Sequence, residues 1–178
     1  EIIENHNVGT GAVELGVYIS VGLVIAASIA GGGTGGIDEV TVFESVLRSV
    51  VFFALGMLVL GLFVVFYQLT TSFNIHEEIE NGNTAAGVVL GGNLIAIGLV
   101  IFKGVFGEFI GWSEGIIAFV LFSVIGFALL YLVRMIVDFI LLPSSKIAHE
   151  ISVDRNLGVA LIESAVVTSA ALILNFAI

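Results

Sequence analysis

Five long apolar stretches, each close to the length of a bilayer crossing, leave this chain few folds to choose from. They run from about Val8 to Ala30, Glu44 to Leu69, Thr84 to Phe106, Ser113 to Leu142, and Leu157 to the C-terminus. Roughly 20 apolar residues carry a helix through the hydrocarbon core. Barrel strands are shorter and alternate in polarity, so continuous runs of this length predict helices. The fold expected is all-α: an integral membrane helical bundle of five spans, with the lipid bilayer as its surroundings. Of 178 residues, 58% are hydrophobic and only 11% are charged, against about 25% charge in a typical soluble domain. Short connections make neighbouring helices antiparallel, and five spans put the two chain ends on opposite sides of the membrane.

Charge and composition exclude several functions. Net charge is −10 with five Lys and Arg, too few cations to track a phosphate backbone, so no nucleic-acid partner is expected. There is no cysteine, hence no disulfide framework, thiol nucleophile or thiolate metal site. "GGGTGG", Gly31 to Gly36, lacks the Lys-Ser/Thr and the preceding strand of a phosphate loop. It reads as a helix stop and turn. No nucleophile elbow or catalytic dyad is present. The reading is non-enzymatic, with no catalytic residues, cofactor or metal.

The spans are not independent of one another. Aligning Asn7, Asn83 and Asn156 places Glu1, Glu77 and Glu150 six residues earlier, and Asn5, Asn81 and Asp154 two residues earlier. Two and nine residues past each asparagine stand Gly9 and Gly16, Ala85 and Gly92, Gly158 and Ala165. With Ser20, Ala96 and Ser169, these positions share one helix face. Gly11, Gly87 and Ala160, then Gly22, Gly98 and Ala171, lie on roughly the opposite face. Each such helix therefore carries two small-residue stripes, the pattern that lets backbones approach closely in lipid. They are expected to be interior helices touched on both sides. Glu44 and Glu114 both lie twelve residues before a glycine, Gly56 and Gly126, in bulkier spans expected to face lipid. The unit is thus a bulky helix, a polar loop and a small-residue helix. Residues 1–178 form one membrane domain with parallel internal repeats 1–36 (a partial unit), 37–107 and 108–178. A further bulky span is expected to precede Glu1, where the first unit lacks its own.

Helix starts leave four N–H groups without intrahelical partners, and Asn, Asp and acidic residues satisfy them. Asn7, Asn83 and Asn156, with Glu77 and Glu150 nearby, are the expected helix-cap motif.

"EIENGNTAAGVVLGGNLIAIG" resembles the signature of bacterial membrane proteins grouped as domain of unknown function 350, strongest at Asn83, Thr84, Ala85, Ala86 and Gly87. "EIIENHNVGTGAVELG" and "EISVDRNLGVALIESA" look like diverged copies in which Gly9-Thr10 and Gly158-Val159 replace the double alanine. Members commonly carry two copies; three is a departure. The resemblance implies a multi-pass inner-membrane protein with no established reaction, in a setting of membrane stress.

The candidate chemistry is sparse. Glu14 and Glu163 each stand seven residues past the asparagine, roughly 10 Å along the helix. Both share the stripe four and fifteen past the asparagine and are expected to face a packed neighbour rather than lipid; an ionisable group inside a span is a functional candidate by default. Either they conduct protons or cations, or they lock helices together. Asn93 and Asn175 are expected to bond between helices. Arg134 and Asp138 read as an interfacial pair snorkelling toward water, with Arg48 a similar anchor. His76-Glu77-Glu78 and His149-Glu150 lack close metal-ligand spacing and read as solvated. Arg134, Lys146 and Arg155 on the motif side, against Arg48 and Lys103 opposite, weight the motif side to the cytoplasm. The function expected is a structural or assembly subunit of an oligomer or larger complex in the inner (plasma) membrane. The alternative is an ion or proton channel, or an ion-coupled transporter, using Glu14 and Glu163.

Overall fold

The computed structural model describes residues 6–30, 41–106, 109–141 and 146–177. The glycine-rich turn at 31–36, the stop at Pro143 and the expected Glu1 and Asn5 copies lie outside them. Among the described residues are five long helices: α1 (Val8–Ala30), α2 (Val42–Thr70), α4 (Thr84–Val105), α5 (Trp112–Leu141) and α7 (Leu157–Ala177). All five are long and apolar enough to cross a membrane. Two short helices, α3 (Ile75–Glu80) and α6 (Ile147–Ser152), occupy what the sequence presents as polar loops. They form because "IHEEIE" and "IAHEIS" each put two isoleucines four apart on one face. Ile75, Ile79, Ile147 and Ile151 are buried beneath the polar turns.

Small residues decide the layering. α1, α4 and α7 form a row with α4 in the middle, and 72% of the apolar window of α4 is buried, against 22–28% for the other spans. The bulky helices lie across the row. α2 covers the groove between α1 and α4, where a side chain on Gly56 would meet Val24 and Ile101. α5 covers the groove between α4 and α7, with Gly126 against Val100. Their outer faces display Leu58, Leu62, Val65, Val120, Val124 and Leu132. A large apolar surface left exposed on spans of this length is what a lipid-facing wall requires.

The three small-residue helices begin alike. Asn83 caps α4, its Oδ1 accepting from the Ala86 N–H at 3.1 Å. Asn7 accepts from the Thr10 N–H at 3.1 Å, and Asn156 from those of Gly158 and Val159 at 3.1 and 3.3 Å. The residue before each asparagine is left-handed: His6 at φ 51°, Gly82 at 75° and Arg155 at 50°. Glycine enters that region freely, whereas His and Arg do so at a cost.

Candidate functional site: two helix seams and a buried ion pair

The seam between α1 and α4 is backbone against backbone. A Cβ on Gly16 would lie 2.5 Å from the Gly91 carbonyl oxygen, and one on Gly9 would lie 2.8 Å from that of Asn83. Cβ atoms on Gly87 and Gly91 would run into the backbones of Gly9 and Ala12. Only glycine allows this approach. The Ser20 hydroxyl, 2.7 Å from the Leu94 carbonyl, joins the two helices further in. At the motif end, Asn7 Nδ2 donates to the Ile79 carbonyl at 2.8 Å.

The seam between α4 and α7 relies more on side chains. Gly92 faces Ser164, whose hydroxyl donates to the Val88 carbonyl at 3.0 Å. Asn175 Nδ2 donates to the Leu99 carbonyl at 2.9 Å. Asn83 Nδ2 reaches the Ile151 carbonyl at 2.8 Å and Glu78 Oε2 at the same distance. Ala85 and Ala96 are buried on α4 in this region, as are Ala160, Val167 and Ala171 on α7.

A buried ion pair stands beside this second seam. Arg134 Nε of α5 lies 3.4 Å from Glu163 Oε1 of α7, with the glutamate side chain fully buried and that of arginine 14% exposed. Arg134 Nη1 donates to Thr71 Oγ1 at 2.9 Å, and the guanidinium lies 4.8 Å from the centre of the Tyr67 ring. One turn further, Asp138 Oδ1 accepts from the Ile147 N–H at 2.8 Å. That bond serves the start of α6, whose preceding residue, Lys146, gives no side-chain cap. A cavity of about 200 Å³ opens here, lined by Thr70, Ser72, Tyr131, Arg134, Asp138 and Lys146 among others. Among the described residues, neither Glu163 oxygen has a hydrogen-bond partner besides this ion pair, nor does the Tyr67 hydroxyl.

Several sequence expectations are corrected. Glu14 is exposed, because α1 meets α4 through its Gly9–Gly16–Ser20 stripe and no described helix covers the opposite one. Among the described helices, α1 and α7 are packed on one side of the row and α4 on both. Gly158 and Ala165 are exposed, since α7 turns its other stripe to α4. Arg134 does not snorkel; Glu163 holds it inward. Asn93 is buried but donates to the Val89 carbonyl of its own helix at 2.9 Å. Glu77 lies in the first turn of α3 rather than at the start of α4, its N–H bonded to Asn74 Oδ1 at 3.3 Å. The carboxylate that takes the Asn83 amide is Glu78, matched by Glu150 for Asn156 at 2.9 Å. The link from α6 to α7 is one residue longer than that from α3 to α4, which shifts the equivalence by one. His76 and His149 sit on exposed turns beside Glu80 at 3.1 Å and Asp154 at 3.7 Å. Arg48 stacks on the Phe109 ring, 3.9 Å from its centre.

Tyr67, Thr71 and Ser164 are contributors that sequence reasoning missed. The Arg134–Glu163 pair had a readable signal. Arg134 lies seven residues before the end of α5, and Glu163 seven past Asn156 at the start of α7. Antiparallel neighbours bring residues at equal distance from one membrane face together, here roughly 10 Å in.

A row of closely seamed helices under a lipid-facing layer, with the described charged groups at one buried pair, at Glu14 in the first span and near the span ends, defines a multi-pass helical membrane protein. Residues 41–178 match the family described as Domain of Unknown Function (DUF350), and the chain belongs to that family. It is similar to a UPF0719 transmembrane protein of Aquifex aeolicus (strain VF5), 26% identical over 174 residues, which cover 97% of this chain. The aligned part is 62% of that relative's own length. It is also similar to the UPF0719 transmembrane protein YshE of Bacillus subtilis (strain 168), 30% identical over 104 residues, or 58% of this chain and 73% of that protein. No solved structure matches.

Proposed function

We propose that this protein is a non-enzymatic structural subunit that assembles into an oligomer or a larger complex in the inner (plasma) membrane, its motif-side loops cytoplasmic. A role in the membrane-stress response fits the setting the family resemblance implies. One observation carries the reading. α4 uses both of its small-residue stripes for packing, whereas α1 and α7 use one each and leave Gly11, Gly22, Gly158 and Ala165 facing outward. Small-residue faces have no advantage against lipid tails and a large one against another helix. The Arg134–Glu163 pair then serves as a lock that fixes α5 on α7. The test is the mass of the protein in lipid nanodiscs formed from native membranes. Multiples of the chain mass, or a co-purifying membrane subunit, are expected; a lone monomer that still complements a deletion strain would sink the proposal.

The second reading is an ion or proton pathway through Glu163. It is favoured by two carboxylate oxygens without hydrogen bonds and by the polar cavity beside Arg134. It requires that Glu163→Gln abolish ion flux into liposomes while assembly is preserved. The subunit reading expects no flux from either protein.

A further inference from the structure

We propose that the polar cavity between the motif-side ends of α2 and α5 binds the phosphate of a membrane phospholipid, whose acyl chains lie on the lipid-facing wall beside it. The site is separate from the helix seams, and the inference goes beyond the assembly reading without depending on it. α2 and α5 each rest on α4 but do not pack backbone against backbone. Deeper in, aromatic rings close the gap between them. The Phe127 ring lies 5.3 Å from those of Phe63 and Phe66, and Tyr131 lies 6.2 Å from Phe66. Toward the motif side this run of rings stops at Tyr131, and the gap opens as the cavity of about 200 Å³.

The lining changes character along the helix axis. Tyr131 and Met135, both exposed on the lipid-facing layer, form the inner part. Asp138 is seven residues beyond Tyr131, roughly 10 Å nearer the motif-side end of α5. It lies in the outer part with Ser72 and Lys146, both exposed. The cavity thus opens to the lipid wall at one end and to the aqueous edge at the other. A phospholipid presents the same order: apolar chains, a phosphodiester, then water. A free anion gains nothing from the apolar end, and a purely apolar ligand gains nothing from the polar one.

Charge and hydrogen bonding fit the same ligand. Two cations and one carboxylate line the cavity, Arg134 and Lys146 with Asp138. They leave one positive charge, the complement of a single phosphodiester; Glu163 stands behind Arg134 and is not part of the lining. Some lining groups are already committed. The Thr70 hydroxyl donates to the Phe66 and Tyr67 carbonyls at 3.0 and 3.1 Å, and Asp138 Oδ1 accepts from the Ile147 N–H. Three donors are unspent. Among the described residues, nothing accepts a hydrogen bond from the Ser72 or Tyr131 hydroxyl, and nothing pairs with the Lys146 ammonium. Lys146 also gives α6 no side-chain cap, so its ammonium is free for a ligand. Two hydroxyls and an ammonium converging on a cationic cavity at the membrane edge suit a lipid phosphate.

The test is a lipid titration of the delipidated full chain in mild detergent, read by native mass spectrometry. The probe is dioleoyl phosphatidylglycerol. Dioleoylglycerol supplies the same chains without phosphate, and inorganic phosphate supplies the anion without chains. One phosphatidylglycerol per chain is expected to bind ahead of all others, with dioleoylglycerol failing to bind and inorganic phosphate failing to displace it. Lys146→Gln is expected to weaken that binding about tenfold, the scale of one hydrogen bond to a charged group, and Lys146→Arg to preserve it. Tyr131→Phe, which keeps the ring on Phe66, is expected to weaken it about threefold. Lys103→Gln makes the same change of net charge on the opposite side and is expected to have no effect. Melting in lipid-free micelles is expected to be the same for all four variants, since each changes a group without a fold-holding contact. Equal weakening by Lys103→Gln and Lys146→Gln would overturn the site in favour of overall charge. Equal binding of dioleoylglycerol would also overturn it. Complete displacement by inorganic phosphate would assign the cavity to a free anion and overturn the lipid. An unchanged affinity in Lys146→Gln would overturn the proposal outright, whatever the assembly state.

Discussion

The two seams flanking α4 achieve the same closeness by different means. Against α1, glycine faces glycine and the contact is backbone on backbone, with Gly9, Gly16, Gly87 and Gly91 admitting no Cβ. Against α7, Gly92 faces a serine, and hydroxyl and amide donors of Ser164 and Asn175 reach carbonyls of α4. The first seam is held by shape alone along most of its length, so it should fail abruptly when shape is changed. The second has several separate polar contacts and the Arg134–Glu163 pair alongside, so it should weaken in steps. In lipid, where apolar surface provides no drive between helices, both solutions are available.

The sharpest break in that comparison comes from Gly87→Leu. The new side chain would collide with the Gly9 backbone, which cannot rotate away as a side chain can. A loss of about 3 kcal/mol or more is expected, at the upper end for overpacking. Thermal unfolding in detergent, followed by circular dichroism, measures it. Gly158→Leu is the control, because its Cβ would meet only the Asn156 side chain of its own turn. It should leave monomer stability within about 0.5 kcal/mol. Equal effects from the two variants would show that glycine's helix-weakening conformational freedom, rather than seam closeness, sets the response.

Next comes the ion pair. Arg134→Ala strands a fully buried carboxylate and should cost about 3–5 kcal/mol. The double variant Arg134→Met, Glu163→Leu removes both charges and should be neutral or stabilising, because desolvation of the pair offsets much of its attraction. Chemical denaturation of the three proteins in the same micelle decides the point. If the double variant folds and assembles but loses activity in cells, the pair is more than a lock. By contrast, exposed Glu14 has no such partner among the described residues, and Glu14→Gln should move monomer stability by less than about 0.5 kcal/mol.

Much of this architecture could be read from residue pattern, and the reason is physical. Helix length against bilayer thickness locates the spans to within a few residues. Capping chemistry places Asn7, Asn83 and Asn156 at the helix starts. Stripe spacing identifies the faces able to pack. What pattern cannot say is which faces are used. Gly158–Ala165 and Gly9–Gly16 are alike in sequence, yet one pair is exposed and the other buried. That depends on position in the row, a property of the whole chain rather than of the helix. For the same reason Glu14 and Glu163 look equivalent but differ in fate: α5 brings Arg134 to one and no described helix brings a cation to the other. The short helices α3 and α6 resemble loops because three or four of their six residues are polar or charged, unless the two isoleucines are read as one buried face.

The smallest effects separate the seams most finely. Asn175→Ala removes a donor to the Leu99 carbonyl, and Ser164→Ala a donor to that of Val88, both across the second seam. Hydrogen bonds between membrane helices average about 0.6 kcal/mol. Each variant should therefore lose that much, and the two together about 1.2 kcal/mol if they act independently along the helix. Across the first seam, Ser20→Ala should lose a similar 0.6 kcal/mol or so by removing the hydroxyl that lies 2.7 Å from the Leu94 carbonyl. The seams part company when a methylene is added instead. Gly16→Ala would press on the Gly91 backbone, whereas Gly92→Ala meets the Ser164 side chain first, with the Ser164 Cα at 3.0 Å. In a Ser164→Gly background, the cost of Gly92→Ala should fall while that of Gly16→Ala stays as it was. A double-mutant cycle that finds no coupling between Gly92 and Ser164 would mean that α7 yields as a rigid helix, and that the second seam, like the first, is governed by backbone approach.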